Sequence, residues 1–97
     1  MAATVHVIAR FVAKAGKEAE LTSVLNALIA PTRRELGCYQ HDLLIGAGEP
    51  RDFCVVERWG SDKSLDEHLA TPHLKGALTQ IEPLVETPPD IRRYYIL

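Results

Sequence analysis

Between Thr4 and Ala13 the chain carries Val5, Val7, Ile8, Phe11 and Val12, with His6 and Arg10 interleaved. A stretch this rich in β-branched and aromatic residues predicts a strand, closed by Gly16. From Lys17 the period changes. Leu21, Val24, Leu25, Leu28 and Ile29 follow the i, i+3, i+4, i+7, i+8 spacing that lays one apolar stripe along a helix. Pro31 lacks a backbone donor and predicts a kink or an end there, although Arg33 to Leu36 can carry the helix on to Gly37, a natural residue just past a helix end. Cys38 to Ile45 alternates poorly but is apolar and aromatic enough for a strand. Gly46-Ala47-Gly48-Glu49-Pro50 is turn chemistry, so a hairpin with Asp52 to Gly60 follows. On that return strand Phe53, Val55, Glu57 and Trp59 share one face, and Cys54, Val56 and Arg58 the other. Ser61 reads as the cap of a short helix through Ala70, with Leu65, His68 and Leu69 inward. Thr71-Pro72 restarts a helix carried by Leu74, Leu78, Ile81 and Val85. Pro88-Pro89 ends the helical region, and a last strand is expected from Ile91 to Leu97.

The order β-α-β-β-α-α-β predicts an α+β fold of the ferredoxin-like, split βαβ kind: a four-stranded antiparallel sheet with its helices on one face. At 97 residues the chain suits a single domain over residues 1–97. Helices cover only one side of such a sheet, yet the strands offer apolar residues to both: Val5, Val7 and Phe11 against Ile8 and Val12, Phe53 and Val55 against Cys54 and Val56. A half-exposed sheet alternates more cleanly with polar residues. The expected cover is a second copy of the chain, giving a homodimer.

Charge changes the picture mainly by exclusion. The net charge is -2, and the basic doublets Arg33-Arg34 and Arg92-Arg93 are diluted by nearby acids, so no nucleic-acid partner is expected. No apolar run approaches the ~18 residues of a membrane span and the start of the chain lacks a basic region followed by an apolar one, which together predict a cytoplasmic protein without a membrane partner. Cys38 and Cys54 are too few and too oddly spaced for a disulfide framework or a zinc site. In the predicted hairpin Cys54 falls opposite the neighbourhood of Leu43, so both cysteines read as reduced packing residues.

Candidate chemistry centres on the inner face. His68 lies i+3 from Leu65 and beside Leu69, where a neutral imidazole can accept a proton from a substrate hydroxyl; the alternative is a hydrogen-bonded core histidine. His73 follows the Thr71 cap, where the helix dipole disfavours a cation and favours the neutral base, or where it merely braces the helix junction. Glu57 shares a face with Phe53, Val55 and Trp59, so its carboxylate must be paired or protonated, with Arg92 or Arg93 as partners. Trp59 offers a flat wall for an aromatic substrate or a core side chain. Tyr39 and Tyr94 are further candidate lining residues; His41 and His6 rank below them. Gly46-Ala47-Gly48 lacks the third glycine and following helix of a phosphate loop. No histidine or acid pair has convincing metal-ligand spacing, His68 and His73 included, and no nucleophilic triad is legible.

Four segments in order, Arg10-Phe11-Val12-Ala13-Lys14-Ala15-Gly16-Lys17-Glu18, Arg34-Glu35-Leu36-Gly37-Cys38, Val56-Glu57-Arg58-Trp59 and His68-Leu69-Ala70-Thr71-Pro72-His73-Leu74, closely resemble the landmarks of antibiotic biosynthesis monooxygenase domains over essentially the whole chain. Leu36 replaces a common proline and His41 a common aromatic. The resemblance implies a dimeric α+β barrel, sheet packed on sheet. It also implies a cofactor-independent monooxygenase, in which a quinol or polyphenolic aromatic itself supplies the electrons to dioxygen. Two alternatives remain: an isomerase of a small phosphorylated carbonyl compound, as in one similar protein, and a non-catalytic ligand-binding dimer. Haem-degrading members use an Asn, a Trp and a His; those positions are Ala9, His68 and Leu78 here, which disfavours haem. No cofactor and no metal are expected.

Overall fold

The computed structural model describes residues 4–97, so the first three residues of the expected domain lie outside it. Strands β1 (Val5–Val12), β2 (Cys38–Gly46), β3 (Glu49–Trp59) and β4 (Asp90–Tyr94) form one sheet in the order β2-β3-β1-β4, with every neighbouring pair antiparallel. Helices α1 (Glu18–Arg33), α2 (Asp62–Leu69) and α3 (Pro72–Ile81) connect them. This is the α+β, ferredoxin-like arrangement read from the order of elements. None of these helices is long and apolar enough to cross a membrane.

The pairing of β1 with β3 sets Val5 against Trp59, Val7 against Glu57, Ala9 against Val55 and Phe11 against Phe53. All eight are buried, because a period of two sends them to the side the helices cover. Leu21, Leu25 and Leu28 supply the buried stripe of α1. Pro31 neither ends nor interrupts that helix, which runs on to Arg33. Gly37 then turns the chain with φ +87, and a Cβ there would fall 2.3 Å from the Ser64 hydroxyl. Glycine is needed both for the left-handed turn and for the close approach of α2.

Two expected boundaries are corrected. The helix carried to Val85 stops at Ile81 and tightens into a 3₁₀ turn, Glu82–Leu84, because Pro83 cannot donate to the helical ladder. The last strand ends at Tyr94 rather than Leu97. The poor alternation of β2 has a physical source: Cys38 pairs with Trp59 and Gln40 with Arg58, so Tyr39 is the extra residue of a β-bulge. The bulge lets Cys38 and His41, which differ in parity, lie opposite the inward residues Trp59 and Glu57. Further along the hairpin Cys54 pairs with Leu44, and both cysteines are free. Burial pushes both thiols up, Cys38 with added help from the Glu57 carboxylate.

Candidate active site

Between the inner sheet face and the helices lies a cavity of about 170 Å³. Val7, Ala9, Phe11 and Val55 line it from the sheet, and Leu25, Leu65, Leu74 and Ile81 from the helices. Its polar lining is confined to Glu57, His41, His68 and Arg93. Arg93 is already engaged, donating to Asp62 and Asp66 on α2, and those carboxylates hold its pKa above the usual guanidinium value. The remaining three groups form one polar node in an otherwise apolar chamber.

Glu57 is the centre of that node. Its inward position on β3 follows from strand alternation, and the indole N–H of Trp59, two residues on, donates to its Oε1 at 2.8 Å. The expected partners Arg92 and Arg93 are elsewhere: Arg92 pairs with Asp90, and Arg93 with α2. His41 Nδ1 stands 3.8 Å and His68 Nε2 3.9 Å from the same Glu57 oxygen. Both separations exceed a direct hydrogen bond. His41 Nδ1 is buried and has no hydrogen-bond partner among the described residues. Two ring nitrogens and a fixed carboxylate therefore converge at distances that suit a third group, such as a substrate hydroxyl.

His68 is held from behind. Its ring packs on Trp59 with centroids 4.7 Å apart, and its Nδ1 lies 2.6 Å from Glu35 Oε2. An ionised carboxylate only accepts, so Nδ1 carries the proton, and in the neutral imidazole this leaves the Nε2 lone pair facing the cavity. The same Glu35 oxygen accepts from His73 Nε2 at 2.9 Å. Local sequence explains the meeting. The Thr71 hydroxyl donates to the His68 carbonyl and accepts the Leu74 N–H, so the end of α2 and the start of α3 share one residue as a joint. That joint sets the two imidazoles side by side, with centroids 6.2 Å apart. Glu35 reaches them because the chain turns at Gly37 directly after α1.

The structure thus brings His68, Glu57 and Trp59 together but redistributes their roles. His68 and Glu57 line the cavity; Trp59 does not, being fully buried as the platform beneath His68. His73 stands behind His68, outside the cavity lining. Tyr39, displaced by the bulge, is exposed beneath the Arg58 guanidinium, 5.4 Å from its ring centroid. Tyr94 points away from the helices, beside Ile8, Arg10 and Arg92. Neither tyrosine reaches the cavity, because Tyr39 is the unpaired bulge residue and Tyr94 has the outward parity of β4. Glu35 was not singled out in the sequence; its place in the Arg34 to Cys38 segment was the only signal. Among the described residues, Glu35, His68 and His73 are also the group whose potential ligand atoms all lie within 4.8 Å of one another.

Comparison with known proteins agrees with the fold. The family model described as "Antibiotic biosynthesis monooxygenase" matches residues 4–80. The "Putative monooxygenase Rv0793" of Mycobacterium tuberculosis is 36% identical over 88 residues, covering 91% of this chain and 86% of that protein. The "Putative monooxygenase YcnE" of Bacillus subtilis is 30% identical over 80 residues, covering 82% of this chain and 84% of its own length. The solved structure of Rv0793 superposes with a TM-score of 0.92 at 34% identity, covering 97% of this chain and 95% of that one.

Proposed function

The chain belongs to the antibiotic biosynthesis monooxygenase family, and from that premise we propose that it is a cofactor-independent monooxygenase of a small, single-ring hydroquinone or phenol. The observation that carries this reading is an apolar cavity of about 170 Å³ whose free polar atoms meet at one node. A cavity of about 150 Å³ accepts a benzene ring. One aromatic ring matches the volume; a fused polycycle exceeds it.

In this reading the ring lies among Val7, Phe11, Leu25 and Ile81, with a hydroxyl directed at the node. His68 Nε2 removes the hydroxyl proton, and Glu35 stabilises the imidazolium that results. The anion is the species that reduces dioxygen readily, and a largely apolar lining limits its reprotonation by water. His41 Nδ1 and Glu57 orient a hydroxyl. For a hydroquinone the sum is substrate plus dioxygen giving hydroxyquinone plus water. All four electrons come from the substrate: two from the hydroquinone, two from the ring carbon that gains oxygen.

The isomerase alternative needs a basic cradle for phosphate. Arg93, the one lysine or arginine lining the cavity among the described residues, is spent on Asp62 and Asp66, Arg10 pairs with Asp52, and Arg58 lies over Tyr39. These placements favour the oxygenase. Its test is oxygen uptake under labelled dioxygen with hydroquinones of one, two and four rings. The expected result is one dioxygen consumed and one labelled atom retained per single-ring substrate, with little turnover of the four-ring compound. Equal rates across sizes, or no uptake above autoxidation, would overturn it.

We further propose that the working form is a homodimer. Ile8, Leu44 and Tyr94, each more than two-fifths exposed, stand on the sheet face that the helices leave bare, alongside the half-buried Cys54 and Val56. Facing two such sheets together should bury on the order of 2,000 Å² in total. Sedimentation equilibrium at micromolar concentration is expected to return twice the chain mass, and a stable monomer there counts against this assembly.

A further inference from the structure

We propose that Glu35, His68 and His73 form a binding site for a divalent ion of the zinc class, placed so that the ion competes with the proton that makes His68 a base. The three residues come from different parts of the chain: the turn after α1, the last turn of α2 and the first turn of α3. Two imidazole nitrogens lie 2.6 and 2.9 Å from one carboxylate oxygen. Neutral histidine carries its proton on either nitrogen at little cost. Moving both protons to the far nitrogens converts the same three atoms into a His₂Glu ligand set, which suits zinc and similar ions rather than the oxygen-seeking calcium or magnesium.

Tetrahedral zinc holds its ligand atoms roughly 3.4 Å apart. The two nitrogen–oxygen separations need to open by less than about 1 Å to reach that spacing, and the two nitrogens already lie within 4.8 Å of one another. The His73 side chain is 33% exposed and that of Glu35 16%, so an ion has an approach from solvent and water can supply a fourth ligand.

A second observation points the same way. His68 stands between two carboxylates, with Glu35 at its Nδ1 and Glu57 3.9 Å from its Nε2. A neutral imidazole has one N–H and serves only one of them. With a metal on Nδ1 the proton moves to Nε2 and faces Glu57, the arrangement in which metal-bound histidines usually donate their second nitrogen to a carboxylate. Neither Glu35 nor Glu57 has a lysine or arginine within 4.0 Å among the described residues, so a dication also supplies the missing positive charge.

The regulatory consequence rests on the reading of His68 as the base. A metal on Nδ1 leaves no lone pair on Nε2 for the substrate, so occupancy switches the base off. The ion is an inhibitor, and the metal-free protein is the active form.

The test uses metal-free dimer titrated with Zn²⁺ by equilibrium dialysis and with Co²⁺ by visible absorption. One ion per chain is expected, with the spectrum of four-coordinate cobalt. His73→Ala and Glu35→Gln should each weaken binding at least about 10-fold. His41→Ala, which removes a buried histidine outside the set, should not weaken it. Circular dichroism confirms that each variant is folded, and His73, being partly exposed, can be shortened without opening the core. No binding by the wild type, or equal binding by the wild type and both ligand variants, overturns the site. Oxygen uptake separates the two ideas. Loss of uptake in proportion to bound Zn²⁺ supports both; full activity with the ion bound keeps the site and removes His68 as the base.

Discussion

Replacing His68 with alanine is expected to lower turnover of a single-ring hydroquinone by roughly 100-fold or more, the lower range for loss of a general base. The expectation follows from hydrogen-bond direction. Glu35 fixes the proton on Nδ1, so Nε2 is an acceptor aimed into the cavity 3.9 Å from Glu57. Glu35→Gln tests the same chain of contacts one step back. Its amide can donate to Nδ1 and so place the proton on Nε2, the wrong tautomer. The expected result is a kcat about 10-fold or more below wild type with KM little changed, because the cavity walls that hold the ring are untouched. His73→Ala should do less, since His73 reaches the reacting centre only through Glu35. Added imidazole should partly restore the His68→Ala enzyme by entering the space left above Trp59, a response that a merely structural histidine does not give. Unchanged turnover in His68→Ala, measured above autoxidation, removes that residue from the chemistry.

Local signals carried the architecture because they are encoded within a few residues. The apolar stripe of α1, the Ser61 and Thr71 caps and the alternation of β3 each depend on neighbours in sequence, and each element formed close to its expected place. The site was legible only where it shared that local logic. His68 and Glu57 could be found because inward parity and helical spacing aim them at the core. Glu35 could not, because its place beside His68 rests on a contact 33 residues away that exists only after Gly37 has turned the chain. The bulge hid in plain view: the irregular alternation of β2 was its trace, but irregular alternation alone does not say which residue is expelled. Expelling Tyr39 rather than His41 decides which of the two reaches the cavity. Arg93 misled for a related reason. Its parity does point inward, but Asp62 and Asp66 on α2 lie nearer to it than Glu57 does to any cation, and ion pairing follows final distance.

Trp59→Ala is expected to cost about 3–5 kcal/mol from lost packing alone, since the side chain is fully buried. Its indole also donates to Glu57 Oε1 at 2.8 Å, so truncation strips a buried carboxylate of its one hydrogen-bond donor among the described residues. That second loss adds about 1.5–3 kcal/mol, the range for a hydrogen bond to a charged group. Natural domains of this size hold roughly 5–15 kcal/mol in total, so the alanine variant approaches or passes the threshold of folding. Trp59→Phe separates the two contributions. The ring remains as a platform for His68 while the N–H disappears, so its cost should be the hydrogen-bond part together with a small loss of volume. In a chain of this length each kcal/mol corresponds to roughly 4–8 °C of Tm. The phenylalanine variant should therefore melt about 10 °C below wild type, and the alanine variant at least about 15 °C below. Trp59 is the only tryptophan in the chain, so its own fluorescence is lost in both variants and the transition must be followed by circular dichroism. A phenylalanine variant as stable as wild type would mean that the indole N–H does not anchor Glu57. The carboxylate would then be free to turn toward His41 or His68, and the node would have no fixed centre around which to place a substrate hydroxyl.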